Sequence, residues 1–185
     1  MAGGIGSRFW PMSTEQYPKQ FHDVLGLGRT LLQLSFDRML LVCPKENIFI
    51  VTNSDYVELV KEQLPEIGKN QILQEPSRKN TAPCVAYASY KIKKINPDAT
   101  LIVAPSDHIV MSETSFKETL NIAINKSNDE ECLVTLGIKP SRPDTGYGYI
   151  QFLDNEEGTP DEVRKVKMFT EKPNLELAQQ FIDSG

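Results

Sequence analysis

The stretch from residue 47 to residue 64, NIFIVTNSDYVELVKEQL, joins an apolar strand to an amphipathic helix and decides the fold class. Its first seven residues, 47–53, are rich in β-branched residues and lack polar alternation, which is typical of a strand buried on both faces. Asp55 predicts the start of a helix, with Glu58 completing a capping box. The buried face of that helix is predicted at Val57, Val60 and Leu64. A strand that leads directly into such a helix indicates a βαβ unit and a parallel sheet.

The same alternation recurs about every 25 to 30 residues along the chain. Further buried strands are predicted at 71–74, 100–104 and 132–138, with later strands near 149–153 and 163–170. Helices are predicted near 30–42, 55–64, 81–90, 116–124 and 174–183, with Thr30, Thr81 and Asn174 as caps of three of them. These elements predict an α/β fold with a mostly parallel, mixed sheet and helices on both faces.

The composition limits the classes of protein that fit. The chain has 185 residues, 39% hydrophobic and 24% charged, which suits one compact domain or most of one. A net charge of -5 argues against a broad basic surface for nucleic acid. No run reaches the roughly 18 apolar residues of a membrane span. Three scattered cysteines indicate a reducing compartment. We therefore expect a cytoplasmic protein without nucleic-acid or membrane partners.

The segment 1–20, MAGGIGSRFWPMSTEQYPKQ, packs glycines closely and follows them with cations. Glycine lets peptide N–H groups approach a phosphate without a Cβ in the way. A P-loop would need Lys and Ser or Thr directly after its last glycine, and a dinucleotide fingerprint would need a small residue where Phe9 stands. Neither pattern fits, which leaves a different anion-binding loop or a tight surface turn.

GGIGSRFWPMS followed by YPKQF resembles the signature of the sugar-1-phosphate nucleotidyltransferases, in particular the mannose-1-phosphate guanylyltransferases. The resemblance implies a Rossmann-like nucleotidyltransferase fold. It also implies that Arg8 neutralises the departing pyrophosphate and that Lys19 lies beside the reacting phosphates. The residues implied to wrap the nucleoside triphosphate are Gly3, Gly4, Gly6, Ser7 and Arg8. The apolar first strand of the family, which feeds this loop, is not present before Met1.

EPSRKNTAP, residues 75–83, follows a predicted strand and matches the family segment that reads the base. A carboxylate can accept from guanine N1–H and from the exocyclic amine together, a pair of donors that adenine does not present there. The resemblance implies that Glu75 selects guanine; an ordinary loop carboxylate is the alternative. Pro76, Asn80, Thr81 and Ala82 are the other nucleotide-binding residues implied.

Asp107 is the next-to-last residue of the run LIVAPSDH and follows the most apolar predicted strand. A lone aspartate there is often a turn former. The resemblance implies instead that Asp107 is a catalytic ligand of Mg²⁺, a cation that prefers oxygen donors. A second aspartate ligand is expected beyond Gly185. The sequence leaves the roles of His22 and His108 open.

The last two blocks of the resemblance are PDTGYGYI, residues 143–150, and FTEKP, residues 169–173. They imply that Gly146 and Glu171 hold the sugar and that Lys172 holds its 1-phosphate and is catalytic. The alternative for Glu171 and Lys172 is an exposed ion pair of little energetic value.

Together these blocks predict a transfer reaction: GTP and α-D-mannose 1-phosphate give GDP-mannose and pyrophosphate by in-line attack on the α-phosphorus. The alternatives are transfer to another hexose 1-phosphate and a non-catalytic nucleotide-binding module. We expect residues 1–185 to form a catalytic domain that is incomplete at both ends, folded but with little activity alone. A homodimer, and an isomerase domain further along the parent chain, are left open.

Overall fold

The computed structural model describes residues 1–4, 9–77, 79–153 and 163–184. They form two compact units, Met1–Lys117 and Glu118–Gly185, and each is considered by itself. The helices are α1 (Leu31–Met39), α2 (Val57–Gln63), α3 (Thr81–Lys93), α4 (Glu113–Asp129) and α5 (Leu175–Asp183). The strands are β1 (Ile50–Asn53), β2 (Ile72–Glu75), β3 (Gly148–Phe152) and β4 (Val166–Glu171). Within these ranges no helix combines the length and the apolar character needed to cross a membrane.

The first unit is built on a parallel pair of strands with helices on both faces. β1 and β2 pair in parallel, with Ile50 opposite Ile72. The core on one face joins Ile50 and Ile72 to side chains of α1 and α2, while Val51 and Leu73 pack with Cys84 of α3 on the other. Because successive strand residues point to opposite faces, an unbroken apolar strand needs both layers. The predicted α/β arrangement is confirmed here.

Two predicted helix starts need correction. The capping box at Asp55 and Glu58 does not form, because the side chain of Asn53 accepts from Asp55 N–H and a 3-10 turn over Ser54–Tyr56 precedes α2. Thr81 is the first residue of α3, not its cap, and Asn80 holds the cap position. α2 therefore begins at Val57, two residues later than the predicted start at Asp55, and the cap of α3 lies one residue before Thr81. Thr30 and Asn174 do cap α1 and α5 with their side chains.

The predicted strand at 100–104 is wrong for the described chain. Its end contacts the start of the chain, where Met1 N donates to Ala104 O at 2.9 Å and Ser106 N donates to Met1 O at 3.0 Å. On its other side, Ala2 N donates to Val51 O at 2.7 Å. Along the rest of this segment, residues 99–104 line a groove of about 450 Å³ together with residues of β1. A strand needs a hydrogen-bonded neighbour along its length, and here the neighbour is present only at one end.

The second unit contains an antiparallel hairpin, which in the described residues forms a two-stranded sheet of its own and is not part of one mostly parallel, mixed sheet. β3 pairs with β4, with Gly148 opposite Glu171 and an irregularity between Gln151 and Phe152. The predicted strand at 132–138 is also wrong within the described residues: Leu133 and Ile138 are 104% and 88% exposed. Its apolar run predicts burial between two layers, but no described segment pairs with it.

Candidate active site

Lys19 and Asp107, which lie far apart in sequence, meet in the first unit. Lys19 Nζ is 2.7 Å from Asp107 Oδ2, and the two side chains are 29% and 30% exposed. The ring of Phe9 lies 5.7 Å from the same ammonium. The structure therefore brings together a lysine predicted to contact phosphates and a carboxylate predicted to bind metal, at a place where solvent reaches both.

The position of Lys19 follows from its neighbours. It begins a 3-10 turn, Lys19–Phe21, whose other two residues face inward. Phe21 is 0% exposed and packs against Tyr56, and Gln20 is 3% exposed. Burial of these two side chains orients the turn, so the ammonium of Lys19 remains at the surface. Gln20, to which the sequence assigned no role, contacts the glycine loop.

Asp107 lies in a loop that is tied to the rest of the unit on both sides. Before it, Ser106 N donates to Met1 O. After it, His108 O accepts a 3.1 Å bond from Arg38 of α1. Arg38 is only 5% exposed, and its guanidinium lies 5.6 Å from the ring of Phe116. Burial lowers the pKa of Arg38, with the Glu113 carboxylate acting in the opposite direction. Arg38 thus steadies the loop that carries Asp107.

The glycine loop is described at Gly3 and Gly4, whereas Gly6, Ser7 and Arg8 lie outside the described residues. Gly3 passes close to the end of β2: a Cβ there would be 2.9 Å from Glu75 Oε2. A side chain at this position would require the Glu75 carboxylate to shift. The structure therefore brings Glu75, predicted to read the base, against the loop predicted to hold the triphosphate.

The thiol of Cys84 contacts Glu75 from the first turn of α3. Cys84 is 6% exposed, and its pKa rises to about 11, first because of burial and then because of the charge and hydrogen bond of Glu75. At neutral pH the thiol is therefore protonated and can donate to the carboxylate. Neither Cys84 nor Arg38 belongs to a sequence motif, so the sequence alone does not predict that they contact residues of the site.

Alkylation kinetics check this environment of Cys84. At pH 8 a pKa of about 11 leaves only about one thiol in a thousand as the reactive thiolate. Cys84 should then react with iodoacetamide far more slowly than Cys132, which is half-buried, and its rate should keep rising with pH up to about pH 11. Peptide mass spectrometry would resolve the two sites. Equal rates for Cys84 and Cys132 at pH 8 would contradict the assigned environment.

The remaining nucleotide-binding residues predicted in this unit lie at the surface around the start of α3. Pro76, Asn80, Thr81 and Ala82 are all exposed. Asn80 has φ 66°, and its side chain makes no capping bond to α3. A non-glycine residue in this region is strained, and such strain tends to concentrate at functional positions.

In the second unit, Gly146, Glu171 and Lys172 lie near one end of the hairpin. Lys172 N donates to Tyr147 O at 3.2 Å, and Gly146 N donates to Asp144 Oδ1 at 2.8 Å. Glu171 Oε1 and Lys172 Nζ are 3.3 Å apart, with both side chains more than half exposed. Lys172 has φ 44°, so each described non-glycine residue with positive φ is one that the sequence predicts to be functional.

The residues present fit a partial magnesium site. Among the described residues, no group of three His, Cys, Asp or Glu side chains lies close enough to hold a metal ion. Asp107 offers one carboxylate near the surface. Mg²⁺ in nucleotide sites is commonly held by one or two carboxylates together with substrate phosphates. Asp107 therefore fits as one ligand of such a site.

The two histidines have contacts of a structural kind. The Nε2 atom of His22 is 3.0 Å from Tyr17 O, and its ring packs edge-on against that of Tyr17. His108 contributes its main-chain oxygen to Arg38. The contacts of both histidines thus steady neighbouring segments.

Comparison with known proteins gives consistent results. The family profile described as nucleotidyl transferase matches residues 1–185. The chain is 42% identical over 190 residues to a mannose-1-phosphate guanylyltransferase of Salmonella montevideo, covering 100% of this chain and 39% of the relative. It is 39% identical over 194 residues to the alginate biosynthesis protein AlgA of Pseudomonas aeruginosa, covering 100% and 38%. The chain thus spans well under half the length of these curated relatives.

Solved structures support the same fold. A crystal structure described as a mannose-1-phosphate geranyltransferase from Thermus thermophilus matches with a TM-score of 0.86 at 31% identity, covering 100% of this chain and 52% of the other. One described as a mannose-6-phosphate isomerase from Helicobacter pylori matches at 0.73 and 30% identity, covering 92% and 62%. These neighbours confirm the predicted Rossmann-like architecture. With the family match over its full length, the chain belongs to the nucleotidyl transferase family.

Proposed function

We propose that this chain is the nucleotide-binding part of an enzyme that makes GDP-mannose and pyrophosphate from GTP and α-D-mannose 1-phosphate. The observation that carries the proposal is the meeting of Lys19 and Asp107 at 2.7 Å, in a unit whose glycine loop contacts Glu75. The names of the relatives at about 40% identity, mannose-1-phosphate guanylyltransferase among them, point to the same substrates.

The reaction needs no covalent intermediate on the protein. An oxygen of the sugar 1-phosphate forms a bond to the α-phosphorus of GTP, the bond to the bridging β-phosphate oxygen breaks, and pyrophosphate leaves. Because the charge moves among phosphate oxygens, positioning and neutralisation supply the catalysis. Lys19 and Arg8 would neutralise the triphosphate, and Lys172 would hold the sugar phosphate with Glu171 and Gly146 at the sugar.

Mg²⁺ is the proposed cofactor, with Asp107 as its ligand on this chain. When bound, the ion supplies positive charge to the triphosphate oxygens. Asp107 Oδ2 is in contact with Lys19, so Asp107 would hold the ion next to the ammonium. Lys19 would contact phosphate beside it.

Base selection is assigned to Glu75. Its carboxylate lies at the end of β2 against Gly3 and accepts a hydrogen bond from the Cys84 thiol. The hydrogen bond from the thiol occupies one acceptor position of the carboxylate, so other positions remain for a base. A carboxylate accepts from two neighbouring donors, which guanine offers and adenine does not.

Competition among nucleotides tests this assignment. With GTP, ATP, UTP and dTTP together in equal amounts, the complete protein should consume GTP first, measured by chromatography of the products. E75Q should lose about tenfold or more of its preference for GTP, because one acceptor becomes a donor. Glu62→Gln, an exposed change on α2, is the matched control. Preference of the wild type for UTP or dTTP would overturn the guanine assignment.

A further inference from the structure

Gln20 stands directly after Lys19, but its side chain is turned into the protein. It is 3% exposed, and its Nε2 atom donates to the main-chain oxygens of Ala2 and Gly4, each at 2.9 Å. A side-chain amide nitrogen carries two N–H groups, so both are used on the glycine loop. Thr52 Oγ1 donates to the same Ala2 oxygen at 3.0 Å.

These bonds fix the direction of a peptide plane at the start of the loop. In a trans peptide the C=O and the following N–H point in opposite directions. Because Gln20 and Thr52 hold the Ala2 oxygen from the inside, the N–H of Gly3 is directed away from them. Gln20 also donates to Gly4 O. The carbonyl groups of the residues before and after Gly3 are therefore bound by the same side chain. Outward N–H groups in a glycine-rich segment are donors to anions.

We propose that Gln20 is a positioning residue that directs the main-chain N–H of Gly3, at the described start of the glycine loop, toward the triphosphate of the nucleotide. It acts through the main chain of Ala2 and Gly4 and does not touch the nucleotide itself. This inference rests on the proposed function, since it takes the loop to be the triphosphate site. The turn Lys19–Phe21 then has three roles: Lys19 supplies charge, Gln20 aligns the glycine loop and Phe21 anchors the turn in the core.

The chain offers a matched control in Gln71. Its Nε2 donates to Lys45 O at 2.7 Å and to Ile48 O at 2.8 Å. Q71M removes two bonds to main-chain oxygens, as Q20M does, and also the bond that Gly68 N donates to Gln71 Oε1, but it leaves the glycine loop untouched. Methionine has a similar length and no donor, so each variant loses both donors and the control loses one acceptor in addition.

The experiment measures binding of GTP and of inorganic tripolyphosphate to the complete protein by calorimetry, with MgCl₂ present. Q20M should bind both about tenfold more weakly than wild type, whereas Q71M should bind both like wild type. Because tripolyphosphate has no base, a loss for both probes locates the defect at the loop. Affinities of Q20M equal to those of Q71M would overturn the role of Gln20.

Q20E gives a second test that also serves if Q20M is too unstable. An ionised glutamate offers no donor to the two carbonyl oxygens, while a protonated one can donate to one of them. At pH 8 Q20E should therefore bind both probes about tenfold or more weakly than wild type, because neither form of the carboxyl supplies both donors. Q20E affinities equal to those of wild type would overturn the inference.

The outcomes separate this inference from the proposed function. If the wild type binds neither GTP nor tripolyphosphate, the proposed function fails and the role of Gln20 fails with it. If the wild type binds both and Q20M binds as Q71M does, only the role of Gln20 fails.

Discussion

Replacing Lys19 with alanine should lower kcat of the complete protein by about a hundredfold or more, the usual effect of removing one charge-stabilising group from a transition state. Lys19 is 29% exposed and is anchored by a turn whose other residues are buried. Truncating it should therefore leave the fold intact. The proposed loss comes from missing charge at the reacting phosphates, so kcat should change more than KM.

Lys61→Ala is the control for Lys19→Ala. Lys61 also forms a short ion pair, 2.6 Å from Glu58 on α2, and is 37% exposed. This variant removes the same side chain far from the glycine loop and should leave kcat unchanged. Pyrophosphate release measures both variants. Activity of Lys19→Ala within a few-fold of wild type would remove Lys19 from the mechanism.

Asp107→Asn should cause a loss of kcat similar to that of Lys19→Ala, about a hundredfold, and should also weaken binding of Mn²⁺ used as a probe of the metal site. The amide has the shape of the carboxylate but not its charge, so the loop held by Arg38 should keep its position. A change in Mn²⁺ affinity, measured by electron paramagnetic resonance, separates a metal ligand from a residue that only pairs with Lys19.

Asp37→Asn is the matched control, since Asp37 pairs with Arg29 at 2.6 Å and is 40% exposed. It should change neither Mn²⁺ affinity nor kcat. In the double variant of Lys19 and Asp107 the losses should be less than additive, because the two side chains are in contact and serve one site. Unchanged Mn²⁺ affinity in Asp107→Asn would show that Asp107 is not a metal ligand.

Local signals in the sequence predicted two of the four helix caps, at Thr30 and Asn174, and failed at Asp55 and Thr81. Thr30 and Asn174 cap their helices because a cap needs only residues within one turn. The strands at 100–104 and 132–138 failed for the opposite reason. Their apolar runs resemble that of β1, but a strand forms only where a neighbour supplies hydrogen bonds. Periodicity carries no information about that neighbour.

The candidate site shows the same division. Motifs predicted Lys19, Glu75 and Asp107 one by one, yet no pattern predicted that Lys19 and Asp107 touch, since their contact depends on the tertiary fold. Arg38 and Cys84 act through burial, which a single charged or thiol residue in a helix does not reveal. Gln20 had a usable signal, because it stands inside the PKQ block that the resemblance quotes.

The central claim is that the protein transfers a guanylyl group to a sugar 1-phosphate, and product analysis tests it most directly. The complete protein is incubated with GTP, α-D-mannose 1-phosphate and MgCl₂, and the products are identified by ³¹P NMR and mass spectrometry. We predict GDP-mannose and pyrophosphate in equal amounts, with none formed when the sugar phosphate is omitted. No GDP-mannose, or release of GDP and inorganic phosphate in its place, would contradict the account.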